Sequence, residues 1–316
     1  TAPAVPVATL AELETAELTG KIALLYGDLS RAPLACKSWF LKEERDVRII
    51  QVLEEKAPAA VLAVQVQPGS TNRIIEDWEF LIPSATLTND SALWLFNRLE
   101  VPVHLRLKTQ QQPGSTANVV GRRPGRRAET IVFCAHYDTK IDTPGAGDNA
   151  AGVAALLALA ETTSGMVLDA TLEFVAFTNE EYLPIGDDTY LRLAGEAHLE
   201  RVLLAINFDG LGQLLDANSL AIYAASDEFQ ARMHQISQDF PGIQWVDPWP
   251  ESNHSSFSMR GVPALALSAR SAWNYAHQHG DTMQWISPTR IEEAVHLTAR
   301  VLEVVQSQPL EWLRAK

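Results

Sequence analysis

The chain has 316 residues, of which 25 are Lys or Arg and 39 are Asp or Glu, so its formal net charge is −14. This length predicts about two domains, and a composition with 47% hydrophobic and 20% charged residues excludes disorder as the main state. Because the surface is acidic, neither nucleic acid nor an anionic membrane is expected as the main partner.

The sequence contains no predicted transmembrane segment or cysteine framework. The longest near-apolar run, Ala150–Ala160, is too short to span a bilayer. The two cysteines, Cys36 and Cys134, are far apart and form no CxxC motif, which argues against a disulfide framework and a cysteine zinc site. The chain begins with Thr and shows no signal segment. We therefore expect residues 1–17 to be an N-terminal segment shortened at its start, and a cytoplasmic location is slightly favoured over secretion.

Residues 18–88 have the pattern of a small mixed α/β domain. Apolar runs at 20–26 and 59–66 predict buried strands. The segment Asp46–Glu55 has apolar residues at roughly helical spacing and predicts a helix between them.

From residue 89 to residue 316, apolar strands alternate with helices. The predicted strands are 104–109, 118–121, 130–135, 171–177, 202–207, 220–225 and 263–267, and the predicted helices are 91–99, 149–162, 229–240 and 291–305. Near-continuous apolar strands interleaved with helices predict a mixed, mostly parallel sheet with helices on both faces, which is a three-layer α/β fold. In such sheets, functional groups collect at the carboxyl ends of the strands.

Residues of metal-binding types gather at these predicted strand ends. They occur in five segments: FCAHYD (133–138), GAGDN (145–149), FTNEE (177–181), INFDG (206–210) and YAHQHGDT (275–282). Carboxylate and imidazole together suit zinc, with cobalt or manganese as substitutes. Several carboxylates in one place repel one another and raise their pKa values. A pair of divalent ions would remove that repulsion.

The spacing within two segments suggests a division of labour. His136 and Asp138 are two apart on a strand, so they can share a face, with His136 as a ligand and Asp138 orienting its ring. Glu180 and Glu181 are adjacent, so their side chains diverge. One can bind metal while the other takes a proton from metal-bound water, which is the arrangement that hydrolysis needs.

Taken together, AHYDT, PGAGDNAAGV, FTNEEY, NFDGLG and HQHGDT resemble the zinc aminopeptidase family that includes bacterial leucyl aminopeptidases and glutamate carboxypeptidase II. The matches cover most of residues 89–316, which would be the zinc peptidase catalytic domain. The upstream segments TGKIALLYG, KAPAAVLAV and LIPSATLT resemble the protease-associated domain that is often inserted in this family.

The resemblance implies a role for each site residue and two zinc ions per chain. Asp148 would bridge both metals, and a cis peptide bond would follow it. The other implied ligands are His136 and Asp209 for one metal, and Glu181 and His277 for the second. His277 is preferred to His279 because the family places the last ligand four residues before the Asp-Thr pair. Glu180 would be the general base and later the acid, and Asp138 would support His136.

Each of these residues also has an ordinary structural interpretation. Singly, His136 could be a core histidine and Asp148 a helix cap. Likewise, Glu180–Glu181 could be a solvated loop end and Asp209 a turn residue before Gly210. The joint occurrence of five matching segments favours the metal site.

Two other enzyme motifs are rejected. Gly145-x-Gly147-x-x-Ala150 fits a loose dinucleotide fingerprint, but the loop after Asp138 is too long for a tight strand-to-helix turn. Asp148 would also place negative charge where a pyrophosphate must bind. No GxSxG elbow of a serine hydrolase is present.

Two features beside the five motifs leave alternatives open. Asn253 stands where the resembled family usually has Asp, which puts a contact near the metals or the substrate in doubt. Trp245, Trp249, Trp273 and Trp285 flank this region, and they are interpreted as core packing rather than as an aromatic wall for a substrate side chain.

The sequence therefore predicts a metal-dependent exopeptidase, foremost a di-zinc aminopeptidase with a metal-bridging water activated by Glu180. Its partner would be a peptide substrate, and homo-oligomerisation stays open. One alternative is a glutaminyl cyclase-like enzyme of the same fold, which uses one zinc and forms a lactam. Another is a non-catalytic, receptor-like relative, but such relatives tend to lose ligands and every ligand position is filled here.

Overall fold

A computed structural model describes residues 1–39, 42–67, 69–70, 72–110 and 112–315. The chain forms two compact units, Thr1–Gly114 and Ser115–Lys316.

The first unit is built on a parallel sheet with the strand order β1-β2-β3-β4. Its elements are β1 (Ala4–Val7), α1 (Leu10–Thr15), β2 (Ile22–Leu25), α2 (Glu44–Lys56), β3 (Ala60–Val64), β4 (Ser84–Leu87) and α3 (Asn89–Phe96). Thr9 and Glu12 form a capping box at the start of α1. On α2, Ile49 and Leu53 are fully buried, as its helical spacing predicts. A protease-associated identity for this unit stays a prediction.

The division between the units lies at 114/115, whereas the sequence predicts it at 88/89. Helix α3 accounts for much of the difference, because Ala92 and Leu95 pack in one hydrophobic cluster with Leu62 and Val64 of β3. The strand predicted at 104–109 is wrong. Those residues are mostly exposed and pair with no strand in the described part of the chain, since an apolar pattern does not by itself supply a partner strand.

The second unit carries a mixed sheet that has seven strands in the described part of the chain, in the order β10-β9-β11-β8-β6-β7-β5. Its elements are β5 (Val119–Arg123), β6 (Thr130–His136), α4 (Ala151–Thr162), β7 (Thr171–Phe177), α5 (Ile185–Ala194), α6 (Glu196–Leu199), β8 (Val202–Phe208), β9 (Asn218–Tyr223), α7 (Asp227–Ser237), β10 (Ile243–Trp245), α8 (His254–Ser258), β11 (Ala264–Ala269), α9 (Pro288–Val305) and α10 (Leu310–Leu313). Strands β7, β6, β8 and β11 are parallel neighbours, and antiparallel pairs form at β5–β7 and β11–β9. The predicted mixed, mostly parallel sheet is confirmed.

Helices cover both faces of this sheet. Alternate residues of β6 point to opposite faces, and Ile131 and Phe133 belong to a cluster with Leu159 of α4 and Val301 of α9. Val132 and Cys134 pack instead with Tyr190 of α5 and Phe257 of α8. Three layers therefore bury the central strands on both sides, which explains why their sequences are almost continuously apolar. Among the described residues, no helix combines the length and apolar character that crossing a membrane would require.

Candidate metal centre

The carboxyl ends of three adjacent parallel strands bring most of the predicted site residues to one edge of the sheet. His136 is the last residue of β6, Asp209 directly follows β8, and Glu180 and Glu181 follow β7 within a few residues. Strand β6 lies between β7 and β8. Neighbouring parallel strands end at a common edge, so these side chains converge. His136 and Asp209, for example, are 73 positions apart in the sequence.

Asp148 lies between the two imidazoles. Its loop, Ala146–Ala150, immediately precedes α4. Asp148 Oδ1 is 3.1 Å from His136 Nε2, and Oδ2 is 3.1 Å from His277 Nε2. The peptide bond from Asp148 to Asn149 is cis, as the family resemblance implies. One carboxylate thus offers one oxygen to each imidazole.

Each imidazole has a second carboxylate beside it. His136 Nε2 is 3.3 Å from Asp209 Oδ1, and His277 Nε2 is 3.0 Å from Glu181 Oε2. The His136 side chain is 1% exposed and that of His277 is 29% exposed. The result is two half-sites that share Asp148, of which the His277 half is open to solvent.

Glu180 and Asp138 complete the cluster. Glu180 Oε2 is 3.9 Å from His136 Nε2. The backbone N–H groups of Glu180 and Glu181 donate to the two carboxylate oxygens of Asp138, over 3.1 and 3.3 Å. His136 Nδ1 is 3.1 Å from the Asp138 carbonyl oxygen and 3.7 Å from its Oδ1. Asp138 therefore meets the imidazole chiefly through its backbone, while its carboxylate holds the loop that carries both glutamates.

The crowding of charge shifts several pKa values. Burial, together with the charges of Asp209, Glu181 and Asp148, raises the pKa of Glu180 well above its usual range, although His136 opposes this. Burial alone would lower the pKa of His277, but its hydrogen bonds and charge interactions with Asp148 and Glu181 raise it to about 10. Burial would raise the pKa of Asp148, yet contacts with His136 and His277 lower it. The imidazoles thus favour the ionised form of Asp148, whereas crowding and burial disfavour that of Glu180.

The donor set fits zinc. Ligand atoms of His136, Asp148 and Glu181 all lie within 4.8 Å of one another. Imidazole nitrogens and carboxylate oxygens are the donors that zinc takes in catalytic sites. A divalent cation would also supply positive charge among these crowded carboxylates.

Two residues that hold this cluster were not recognised from the sequence. Asp281 is buried, and its carboxylate accepts the backbone N–H groups of Gly147 and Asp148 over 2.7 and 3.0 Å. Asn149 donates to the Phe208 carbonyl oxygen at 2.8 Å and accepts the Gly152 N–H at 3.1 Å. In the sequence, Asp281 only marks the Asp-Thr pair that distinguishes His277 from His279. No local sequence pattern indicates the hydrogen bonds of Asp281 or Asn149.

The tryptophans near residue 253 have different surroundings. Trp245 packs against His234 and donates to Ser237, and Trp249 packs on His254; both side chains are partly buried. Trp285 stacks on Tyr275, and their ring centroids are 4.6 Å apart. Tyr275 lies two residues before His277 in the chain. The Trp273 side chain lies outside the described residues.

The fold and the donor set define an α/β protein with a candidate metal centre at the carboxyl edge of its sheet. Residues 118–302, more than half of the chain, match Peptidase family M28, and the chain belongs to that family. The family to which the sequence resemblance points is thereby confirmed, and the chain spans less than two thirds of the length of the curated relatives it matches.

Named relatives are consistent with this assignment. The chain is 24% identical over 319 residues to aminopeptidase YwaD of Bacillus subtilis (strain 168), a match that covers 93% of this chain and 64% of that protein's length. Its fold is similar to that of a zinc aminopeptidase from Bacillus subtilis, with a TM-score of 0.74, 20% identity, and coverage of 99% of this chain and 78% of that one. It is also similar to an Acidobacteriales bacterium glutaminyl cyclase, with a TM-score of 0.52, 19% identity, and coverage of 61% and 74%. At these identities the structural likeness shows the fold alone.

We expect Asp281→Asn to weaken the site by disturbing the loop of Asp148. An amide would present a donor to one of two buried N–H groups, and an unpaired buried N–H costs about 1–3 kcal/mol. Changes in residues that support metal ligands typically lower metal affinity or activity about 10–100-fold, so zinc affinity should fall by about that factor. Competition with a fluorescent zinc chelator measures it, with Asp239→Asn at an exposed position as the control. Unchanged zinc affinity in Asp281→Asn would contradict this role.

Zinc binding should release protons at neutral pH. Burial would lower the pKa of His277, but contacts with Asp148 and Glu181 raise it to about 10, so we expect its imidazole to carry a proton at pH 7 and to lose it when metal binds. Zinc affinity should therefore rise as the pH increases from about 6 to 8, below the range where free zinc itself hydrolyses. Isothermal titration calorimetry in buffers of different ionisation enthalpy measures the released protons, and a binding enthalpy that is independent of the buffer would oppose this expectation.

Proposed function

We propose that this chain is a metal-dependent exopeptidase, specifically an aminopeptidase that uses two zinc ions. The observation that carries the proposal is the Asp148 carboxylate, which offers one oxygen towards His136 and the other towards His277. A carboxylate shared in this way suits a pair of cations better than a single one. The names of the relatives support the aminopeptidase activity, and a peptide is the corresponding substrate.

In this proposal the ligands divide into two sets that share Asp148. His136 and Asp209 would hold one zinc, and Glu181 and His277 the other. When bound, such a pair supplies Lewis acidity, which lowers the pKa of water and polarises a peptide carbonyl. Cobalt or manganese would be chemically acceptable substitutes.

Glu180 is proposed as the group that moves the proton. Its carboxyl is buried with its pKa raised, and it stands beside His136 without being needed as a ligand. It would accept a proton from the attacking water and deliver it to the amine that leaves. Asp138 would keep Glu180 in reach, because its carboxylate accepts the N–H groups of both glutamates.

A one-zinc, glutaminyl cyclase-like function is the second candidate. The group of His136, Asp148 and Glu181, whose ligand atoms lie within 4.8 Å of one another, could hold a single ion. The fold likeness to a glutaminyl cyclase also favours it, although that match covers only 61% of this chain. The two functions differ in the number of zinc ions per chain and in whether the product is a free amino acid or a lactam.

The Glu180→Gln substitution tests the proposed mechanism. Glutamine keeps the size of the side chain but cannot carry the proton, so kcat should fall about 10²–10⁴-fold while bound zinc is unchanged. The assay measures turnover of leucine p-nitroanilide, with zinc content measured by mass spectrometry in the same samples. The exposed Glu196→Gln serves as the control. Wild-type turnover in Glu180→Gln would rule out the mechanism.

A further inference from the structure

A buried carboxylate–amide pair joins α5 to the turn before α8. Asp187 is in the first turn of α5, and Asn253 directly precedes α8. Their exposures are 0% and 1%. Asn253 Nδ2 donates to both carboxylate oxygens of Asp187, over 3.0 and 2.9 Å.

The charge of Asp187 fixes which way the amide points. If the amide were turned over, its oxygen would face two carboxylate oxygens at this distance. In the observed orientation, Asn253 Oδ1 has no hydrogen-bond partner among the described residues. Burial raises the pKa of Asp187 to about 6, although hydrogen bonds from Asn253 and Ser256 favour its ionised form. Asp187 therefore acts only as the acceptor of this pair and Asn253 only as its donor.

On one side, the pair adjoins the loop that carries Glu180 and Glu181, because Asp187 lies just after the end of that loop. Asn118 closes the base of this loop, since its Oδ1 accepts the Thr178 N–H at 3.2 Å and its Nδ2 donates to the Gly186 carbonyl oxygen at 2.8 Å. A Cβ at Gly186 would collide with the Thr178 carbonyl oxygen. Gly186, the neighbour of Asp187, is thus held against Thr178, where the loop that carries both glutamates begins.

On the other side, the residue next to Asn253 is hydrogen-bonded to β8, the strand that leads to Asp209. Asn207 Nδ2 donates to Ser252 Oγ at 2.8 Å, and Ser252 directly precedes Asn253 in the chain. Asn207 is fully buried in β8, two residues before Asp209 and on the same face of the sheet. A chain of buried and part-buried contacts thus runs from the strand of Asp209 to the loop of Glu180 and Glu181.

We propose that Asp187 and Asn253 are a positioning pair that sets the glutamate loop against Asp209, and that the pair must consist of one carboxylate and one amide. This inference rests on the proposed function, because it concerns the same metal site. It assigns a role to the Asn at position 253: two carboxylates there would repel each other in a buried place, whereas the amide ties the two elements together.

A charge swap tests the pair. Asn253→Asp should lower zinc affinity and kcat for leucine p-nitroanilide about 10–100-fold, the usual range for residues that support metal ligands, with a smaller change in KM. The double variant Asp187→Asn/Asn253→Asp restores one carboxylate and one amide, and it should recover most of both quantities. Zinc affinity is measured on the metal-free proteins by chelator competition, so the pair is tested even if the chain hydrolyses no anilide.

The matched control is Asp188→Asn/Asn253→Asp. Asp188 is exposed in the same turn of α5, so this variant has the same net charge as the swap without restoring the pair, and it should stay as deficient as Asn253→Asp. Unfolding free energies of the metal-free variants give the coupling of the pair directly, including where Asn253→Asp folds poorly. The proposal is overturned if Asn253→Asp behaves as wild type, if the swap fails to recover zinc affinity, or if the control recovers it equally. A wild type that binds zinc but has no peptidase activity would instead count against the proposed function.

Discussion

The main physical constraint on the site is the repulsion among its carboxylates, which positive charge must offset. Asp148, Glu180, Glu181 and Asp209 surround two imidazoles at one edge of a sheet, where burial reduces the screening by water. Each carboxylate is held close to the others although like charges oppose this arrangement. A pair of cations would convert the repulsion into attraction, and Asp148 occupies the position between the imidazoles where one carboxylate can serve both. The proposed hydrolysis follows from this one arrangement.

The folded chain holds these groups through their backbone as much as through their side chains. Asp138 binds the N–H groups of the two glutamates, Asp281 binds those of Gly147 and Asp148, and Asn149 links its loop to the end of β8. Such contacts hold the proposed ligands in place independently of a metal, which is what a precise catalytic site would require. The Asp187–Asn253 pair would add the same kind of restraint between α5 and α8, on the face of the sheet to which His136 points.

Much of the fold, and the convergence of the proposed ligands, could be predicted from the sequence, because both depend on local patterns. Strand β7 was predicted at its observed residues, 171–177, and the polar residues at the ends of β6, β7 and β8 do converge. The roles of Asp281 and Asp187 could not be predicted, since their partners lie 133 and 66 residues away and no short-range pattern marks such pairs. The strand at 104–109 failed for a related reason: an apolar alternation does not specify a partner strand. The protease-associated identity of the first unit stays a prediction.

Anomalous X-ray diffraction at the zinc absorption edge, from crystals grown with zinc, tests the central claim most directly. The account predicts two anomalous peaks in each chain, one against His136 and Asp209 and the other against Glu181 and His277, with Asp148 touching both. A single peak at this edge of the sheet, or zinc bound away from these side chains, would contradict it.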